Sequence, residues 1–76
     1  EINLAVDNKQ AMINIVKQHF VDGKMDELDG VTITYPDWWV NVRPSNTEPL
    51  LRVTVEANTA ELLAKKKQEI LKLLKV

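Results

Sequence analysis

The segment 43–49 places side chains that bind anions between two prolines. It reads Arg43, Pro44, Ser45, Asn46, Thr47, Glu48 and Pro49. The guanidinium of Arg43 presents a planar fork of donors that matches two oxygens of a phosphate, and the hydroxyls of Ser45 and Thr47 can reach the remaining oxygens. Successive backbone N–H groups in a tight loop can also form an anion-binding concavity. These residue types at this spacing suit a phosphate group.

The two prolines favour an ordered loop. Proline restricts the residue before it, so Arg43 and Glu48 are both directed toward extended conformations. A preordered loop loses less conformational entropy when it closes on a ligand. Serine, asparagine, threonine and proline are also common turn residues, so composition alone fits an ordinary turn as well as an anion site. Both interpretations stay open at this point.

Periodicity on both sides of the loop predicts the elements that hold it. Alternating apolar residues predict five strands, over residues 1–6, 24–28, 31–35, 38–43 and 51–57. Capping-box patterns that begin at Asp7 and Asn58 predict the starts of two amphipathic helices, the second running to Leu74. Gly23 is expected to end the first helix in the left-handed conformation, and residues 29–30, an Asp-Gly pair, predict a two-residue hairpin turn.

The element order β-α-β-β-β-β-α predicts an α+β fold, in which two helices cover one face of an antiparallel sheet. Alternation assigns nine residues to the face beneath the helices: Val31, Ile33, Tyr35, Trp38, Val40, Val42, Leu51, Val53 and Val55. The opposite face collects polar and aromatic side chains: Trp39, Asn41, Arg43, Arg52, Thr54 and Glu56. We expect that face to be exposed to solvent or covered by something outside this chain.

Size, charge and composition restrict the class of protein. The 76 residues are expected to form one domain over residues 1–76, and the net charge of −1 is unlike that of a dedicated nucleic-acid binder. The chain has no cysteine and a single histidine, His19, which excludes thiolate and multi-histidine metal sites. No apolar run approaches the ~20 residues of a transmembrane helix, so we expect a cytoplasmic protein with no membrane partner. Because the chain begins with Glu1, we expect an excised piece of a longer protein.

Residues outside the loop that could do chemistry have simpler interpretations. His19 lies near the end of the first helix, where the helix dipole favours positive charge, and the sequence shows no acidic or metal partner for it. The three lysines at 65–67 are expected to form a solvated helix face. Trp38 and Trp39 are neighbours in a strand and point to opposite faces, with Trp38 in the core.

The loop and its surroundings resemble the α-D-phosphohexomutases. Residues 43–49, followed by the hydrophobic strand, are similar to the R-x-S-N-T-E-P phosphate-binding loop of that family. Residues 29–31, Asp-Gly-Val, and Trp39 lie where those enzymes carry a D-G-V strand start and a tryptophan before the loop. Residues 1–3 resemble the entry to their last domain, so the similarity covers nearly the whole chain. Asn46 resembles the phosphomannomutase/phosphoglucomutase branch more than the phosphoglucosamine mutase branch.

The resemblance implies phosphate binding without catalysis in this segment alone. In such enzymes the fourth domain holds the phosphate that is not transferred between the 1- and 6-positions of a hexose. Carried over to this chain, the phosphate ligands are Arg43, Ser45, Asn46 and Thr47. The residues that shape or support the loop are Glu48, Pro49 and Arg52. The catalytic serine and the Mg²⁺ site belong to the preceding domains, so we expect this chain to bind hexose phosphate, to contact those domains, and to be inactive alone.

Two other classes of function remain as alternatives. Trp39, Arg43 and Arg52 beside a lysine-rich helix could form a small nucleic-acid-binding module, because surface aromatics and arginines stack bases in single-strand binders. The net charge of −1 weighs against this interpretation. The polar face could also belong to a protein-interaction domain, which is partly compatible with the first hypothesis. The sequence does not identify the hexose.

Overall fold

The computed structural model describes residues 2–28, 30–45 and 47–74. The strands are β1 (Ile2–Ala5), β2 (Lys24–Asp26), β3 (Val31–Thr34), β4 (Trp38–Pro44) and β5 (Leu50–Ala57), and the helices are α1 (Lys9–His19) and α2 (Ala60–Leu73). The predicted order and α+β class are therefore confirmed. Predictions that fall on Glu1, Asp29 and Asn46 lie outside the described residues.

The five strands form one antiparallel sheet in the order β1-β5-β4-β3-β2. The first strand lies at the edge of the sheet and pairs with β5, which is distant in sequence. In this pair Ile2 opposes Val53 and Ala5 opposes Leu50. This pairing brings the end of β1, and the start of α1 after it, beside the β4–β5 connection. The sheet order thus decides which residues surround the predicted phosphate loop.

The core lies between the sheet and both helices. Seven of the nine residues predicted for the covered face are buried, and Tyr35 and Val55 are half-buried against them. The helices close the core with Ile13, Val16, Phe20, Ile70 and Leu74. Burial of apolar surface on this scale is the main stabilising contribution to a small domain. The core residues come from this chain's own sheet and helices.

Both helices begin one residue later than the capping patterns predict. Asn8 caps α1, because its side-chain oxygen accepts the Ala11 N–H at 3.1 Å. Thr59 caps α2 in the same way, accepting the Leu62 N–H at 3.1 Å. The predictions of Asp7 and Asn58 as caps are wrong. A side-chain acceptor opposite the third helical N–H satisfies one of the donors that a helix start leaves unpaired.

The predicted end of the first helix is also wrong. Helix α1 ends at His19 with Phe20 as its C-cap, and Gly23 does not adopt a positive φ. Gly23 is required for a different reason: a Cβ there would collide with the side chain of Ile33 and come within 2.8 Å of the Tyr35 ring. The absence of a side chain lets this turn lie directly on β3.

The β2–β3 hairpin has a longer turn than the predicted two residues. Strand β2 ends at Asp26, whose carboxylate accepts the Leu28 N–H at 2.9 Å and so starts a turn in place of further strand pairing. Gly30 adopts the left-handed conformation, with φ 69°. A Cβ on Gly30 would lie 2.6 Å from the Val42 carbonyl oxygen, so close approach to β4 also requires glycine.

Candidate functional site

Backbone hydrogen bonds close the β4–β5 loop. The Ser45 N–H donates to the Leu50 carbonyl at 3.0 Å, and the Leu50 N–H donates to the Glu48 carbonyl at 2.8 Å. The Pro49 carbonyl accepts the Val6 N–H at 3.1 Å, which ties the loop to the chain just after β1. Glu48 and Pro49, predicted to shape the loop, thus take part in its closure through their carbonyl oxygens.

The predicted phosphate ligands occupy different environments in the loop. Ser45 is the buried one, with only 6% of its surface exposed, while Thr47 is exposed at the rim. Arg43 is half-buried at the end of β4. Asn46, the fourth predicted ligand, lies outside the described residues. The structure therefore brings Arg43, Ser45 and Thr47 into one short segment in which a buried serine lies between two more accessible side chains.

Arg43 and Arg52 are directly opposite each other across β4 and β5. Paired residues in antiparallel strands project to the same face with Cβ atoms about 4.5–5.5 Å apart, and like charges in this position repel each other. An anion bound beside the pair would reduce that repulsion, because its charge is opposite to that of both guanidinium groups. This geometry supplies positive potential at the point where the loop begins.

Lys9 is a site residue that the sequence prediction missed. Its ammonium donates to the Ser45 carbonyl at 2.6 Å and lies 3.3 Å from the Glu48 carbonyl. Lys9 is the first residue of α1 and precedes Ser45 by 36 positions. Only the pairing of β1 with β5 places it at the loop, so no local sequence pattern points to it.

The uncovered face of the sheet forms a shallow concavity that begins at Arg43. Its volume is about 530 Å³, and it is lined by Thr32, Thr34, Trp39, Asn41, Arg43 and Thr54. The Asn41 amide donates to the Thr32 hydroxyl at 2.9 Å, which holds two of these side chains together. The prediction of a polar and aromatic face is confirmed, and Trp39 is half-buried within it.

A second cluster lies at the opposite end of the sheet, against the first residue of β4. His19 Nε2 is 2.8 Å from Glu69 Oε2, and Lys66 Nζ is 3.2 Å from Glu69 Oε1. The hydrogen bond from His19 is the largest cause holding the pKa of Glu69 below its usual value, with Lys66 adding to it. Lys66 also lies over the Trp38 ring, 4.8 Å from its centroid.

This cluster corrects two predictions. His19 has an acidic partner, Glu69, which comes from the other helix and is 50 positions away in the chain. Of the lysines at 65–67, Lys65 and Lys67 are exposed as expected, whereas Lys66 is half-buried and paired. Near this cluster, the Tyr35 hydroxyl donates to Asp22 at 2.7 Å, and burial together with that bond raises the pKa of Tyr35.

Within residues 2–28, 30–45 and 47–74, no group of three or more His, Asp or Glu side chains is arranged to hold a metal ion. In the same part of the chain, neither helix has the length and apolar character needed to span a bilayer.

Fold and site together define a small α+β domain whose β4–β5 loop is closed by hydrogen bonds and surrounded by cationic side chains. The chain belongs to the family described as phosphoglucomutase/phosphomannomutase, C-terminal domain, whose model matches residues 1–73. The family resemblance seen in the loop motif is thereby confirmed.

Curated relatives agree with this family. The chain is 44% identical over 70 residues to a phosphomannomutase of Methanocaldococcus jannaschii, covering 92% of this chain and 16% of the relative. It is 42% identical over 78 residues to phosphohexose mutases of Xanthomonas campestris, covering 99% of this chain and 17% of the relative. A probable phosphoglucosamine mutase of Pyrococcus horikoshii is 39% identical over 75 residues, covering 95% of this chain and 16% of the relative. The chain thus spans about a sixth of these relatives, and the branch preference drawn from Asn46 stays a prediction.

Proposed function

We propose that residues 1–76 form the phosphate-binding domain of a phosphohexomutase and hold the phosphate of a hexose phosphate that is not being transferred. The observation that carries this proposal is the β4–β5 loop. It is closed by its own hydrogen bonds, holds Ser45 in a buried position, and begins at the opposed pair Arg43 and Arg52. An ordered loop with converging donors and positive charge suits a dianion.

The loop residues have distinct roles in this proposal. Arg43 binds two phosphate oxygens through its guanidinium, and the Ser45 and Thr47 hydroxyls donate to the others, with Asn46 as a fourth ligand. Glu48 and Pro49 hold the loop in shape through their carbonyl hydrogen bonds. Arg52 supports Arg43 by charge from the neighbouring strand.

Such a site reads the charged group and not the sugar, which suits an intramolecular transfer between the 1- and 6-positions of a hexose. Either phosphate of a bisphosphorylated intermediate fits the same loop, so the sugar can turn around between two transfers. Holding one phosphate orients the other toward the reacting groups, and such positioning contributes only when those groups lie opposite. We place the reacting groups and a bound Mg²⁺, which would stabilise charge on the transferred phosphate, in other domains of a longer protein.

The same proposal names the partners and the location. The partners of this domain are a hexose phosphate and the preceding domains of the same protein, and the isolated domain has no mutase activity. Because sugar phosphates are charged and do not cross a bilayer unaided, we place the protein in the cytoplasm with its substrate.

An amide NMR titration tests the binding role directly. Glucose 1-phosphate and glucose 6-phosphate should both shift the amides of residues 43–49, whereas free glucose should shift none of them. A short single-stranded oligonucleotide at low salt serves as a further comparison, because a nucleic-acid module would bind it in a salt-sensitive manner. Shifts with glucose as large as those with the phosphates, or none with either phosphate at tens of millimolar, would count against a phosphate-reading loop.

A further inference from the structure

We infer that Lys9 is a positioning residue of the phosphate loop. Its ammonium forms hydrogen bonds with two carbonyl oxygens of the loop and adds positive charge to the site. This inference rests on the proposed function and assigns a role to a residue outside the loop motif. Lys9 is the first residue of α1, which the pairing of β1 with β5 brings beside the loop.

The Lys9 ammonium contacts a carbonyl oxygen near each end of the loop, and we call this pair of contacts the clasp. The bond from Nζ to the Ser45 carbonyl is 2.6 Å long and partly buried, and the contact to the Glu48 carbonyl is 3.3 Å. Charge-assisted hydrogen bonds are shorter and about twice as strong as neutral ones. One ammonium therefore bridges the entry of the loop and its exit, across the segment that carries the hydroxyl ligands.

The clasp acts on the orientation of the loop backbone. A trans peptide unit is planar, so a hydrogen bond that holds its carbonyl oxygen fixes the orientation of the whole unit. Lys9 fixes the carbonyl of Ser45, and the Leu50 N–H fixes that of Glu48 from a second direction. Carbonyl oxygens turned toward the ammonium are turned away from an anion, which they would otherwise repel.

Lys9 also contributes to the electrostatic potential at the loop. Lys9 places a positive charge next to the loop, on the side of α1, while Arg43 and Arg52 lie on β4 and β5. The amino end of α1 adds the partial positive charge of a helix start. A phosphate in the loop would then be approached by cationic groups from three elements of the fold.

The chain offers a matched control for Lys9. Lys17 lies on the same helix, is also half-buried, and pairs with Glu27 at 2.9 Å. Because helix α1 runs from the loop at Lys9 toward the other end of the sheet, Lys17 lies away from the loop. Lys17→Met removes the same charge with the same new side chain as Lys9→Met. Any difference between the two variants therefore reports the position of the charge and not the net charge of the chain.

The experiment measures the affinity of this chain for inorganic phosphate and the amide hydrogen exchange of Ser45 and Leu50. Lys9→Met should weaken phosphate binding about tenfold and speed exchange at both amides, since one charge-assisted clasp is removed. Lys9→Arg, which keeps the charge and the donors, should bind within about threefold of the unchanged chain. Lys17→Met should leave both readouts unchanged.

Each outcome is decisive. Equal phosphate affinity in Lys9→Met and Lys17→Met, with unchanged exchange at Ser45 and Leu50, would overturn the inference. If the unchanged chain binds no phosphate, the proposed function fails, and faster exchange in Lys9→Met alone would still establish the clasp. Should Lys9→Met unfold, Lys9→Gln takes its place, because it keeps a donor but no charge. Phosphate affinity of Lys9→Gln equal to that of Lys9→Arg would refute the charge contribution.

Discussion

Replacing Arg43 by alanine should remove most of the phosphate affinity and leave the fold intact. A charge-assisted hydrogen bond contributes about 1.5–3 kcal/mol net, so the loss of even one of the two bonds from the guanidinium should raise the Kd for a phosphate ester at least about 10- to 150-fold. The fold should tolerate the change because Arg43 projects from the uncovered face of the sheet, away from the core. Relief of the repulsion between Arg43 and Arg52 should offset part of the lost packing.

Arg52→Ala is the matched comparison, because it removes the same group one strand away. We expect it to weaken binding only about threefold, since Arg52 contributes charge without a direct contact to the ligand. Isothermal titration with glucose 6-phosphate gives the affinities, and urea unfolding gives the free energy of unfolding of each variant. The double variant completes a cycle that measures the coupling between the two arginines.

Arg43 is not the phosphate anchor if Arg43→Ala binds as well as the unchanged chain while remaining folded. Arg52 is the anchor instead if Arg52→Ala loses more affinity than Arg43→Ala. A large loss of stability in Arg43→Ala would show instead that this side chain supports the sheet, and that the uncovered face tolerates less than its exposure implies.

Two further predictions concern the fold. Gly30→Ala should lower the free energy of unfolding by about 2 kcal/mol or more, because φ is 69° and the added Cβ meets the Val42 carbonyl. Urea unfolding measures this loss. Leu28→Ala is the control in the same turn, and it should change the free energy of unfolding little because this side chain is 93% exposed. Since the pKa of Glu69 is lower in the folded chain than its usual 4.5, the unfolded chain binds more protons as the pH falls; the stability is present above 4.5 and lost below it. Thermal melts across this range should show a flatter pH dependence for Glu69→Gln, and an equally steep one would show that His19 and Lys66 do not stabilise the charged form of Glu69.

Much of the site could be predicted from residues that are neighbours in the chain. The proposed phosphate ligands lie within residues 43–49, and the two faces of the sheet follow from strict alternation along each strand. Val40, Val42 and Val53 were therefore assignable to the core without knowing which strands pair, and they are fully buried. Local patterns predict local geometry because a side-chain period of two holds in any strand.

Helix starts were less predictable, because two good capping residues stand side by side at each one. Asn58 could cap α2, but its N–H donates to the Asp37 carbonyl at 2.9 Å, which keeps it with the preceding turn and leaves the cap to Thr59. At α1, the Val6 N–H donates to the Pro49 carbonyl, and Asn8, two residues later, caps the helix. At α2, a contact from elsewhere in the chain therefore favours one of two candidates that are locally equivalent.

The sequence by itself determined the chemistry of the loop, the order of the elements and the apolar face, since each depends on residue type and short-range period. Only the tertiary structure decided which distant groups meet them. Lys9 reaches the loop because β1 pairs with β5, and His19 finds Glu69 because both helices lie on one face of the sheet. Such contacts depend on how elements far apart in the chain pack together, and no local pattern encodes that arrangement.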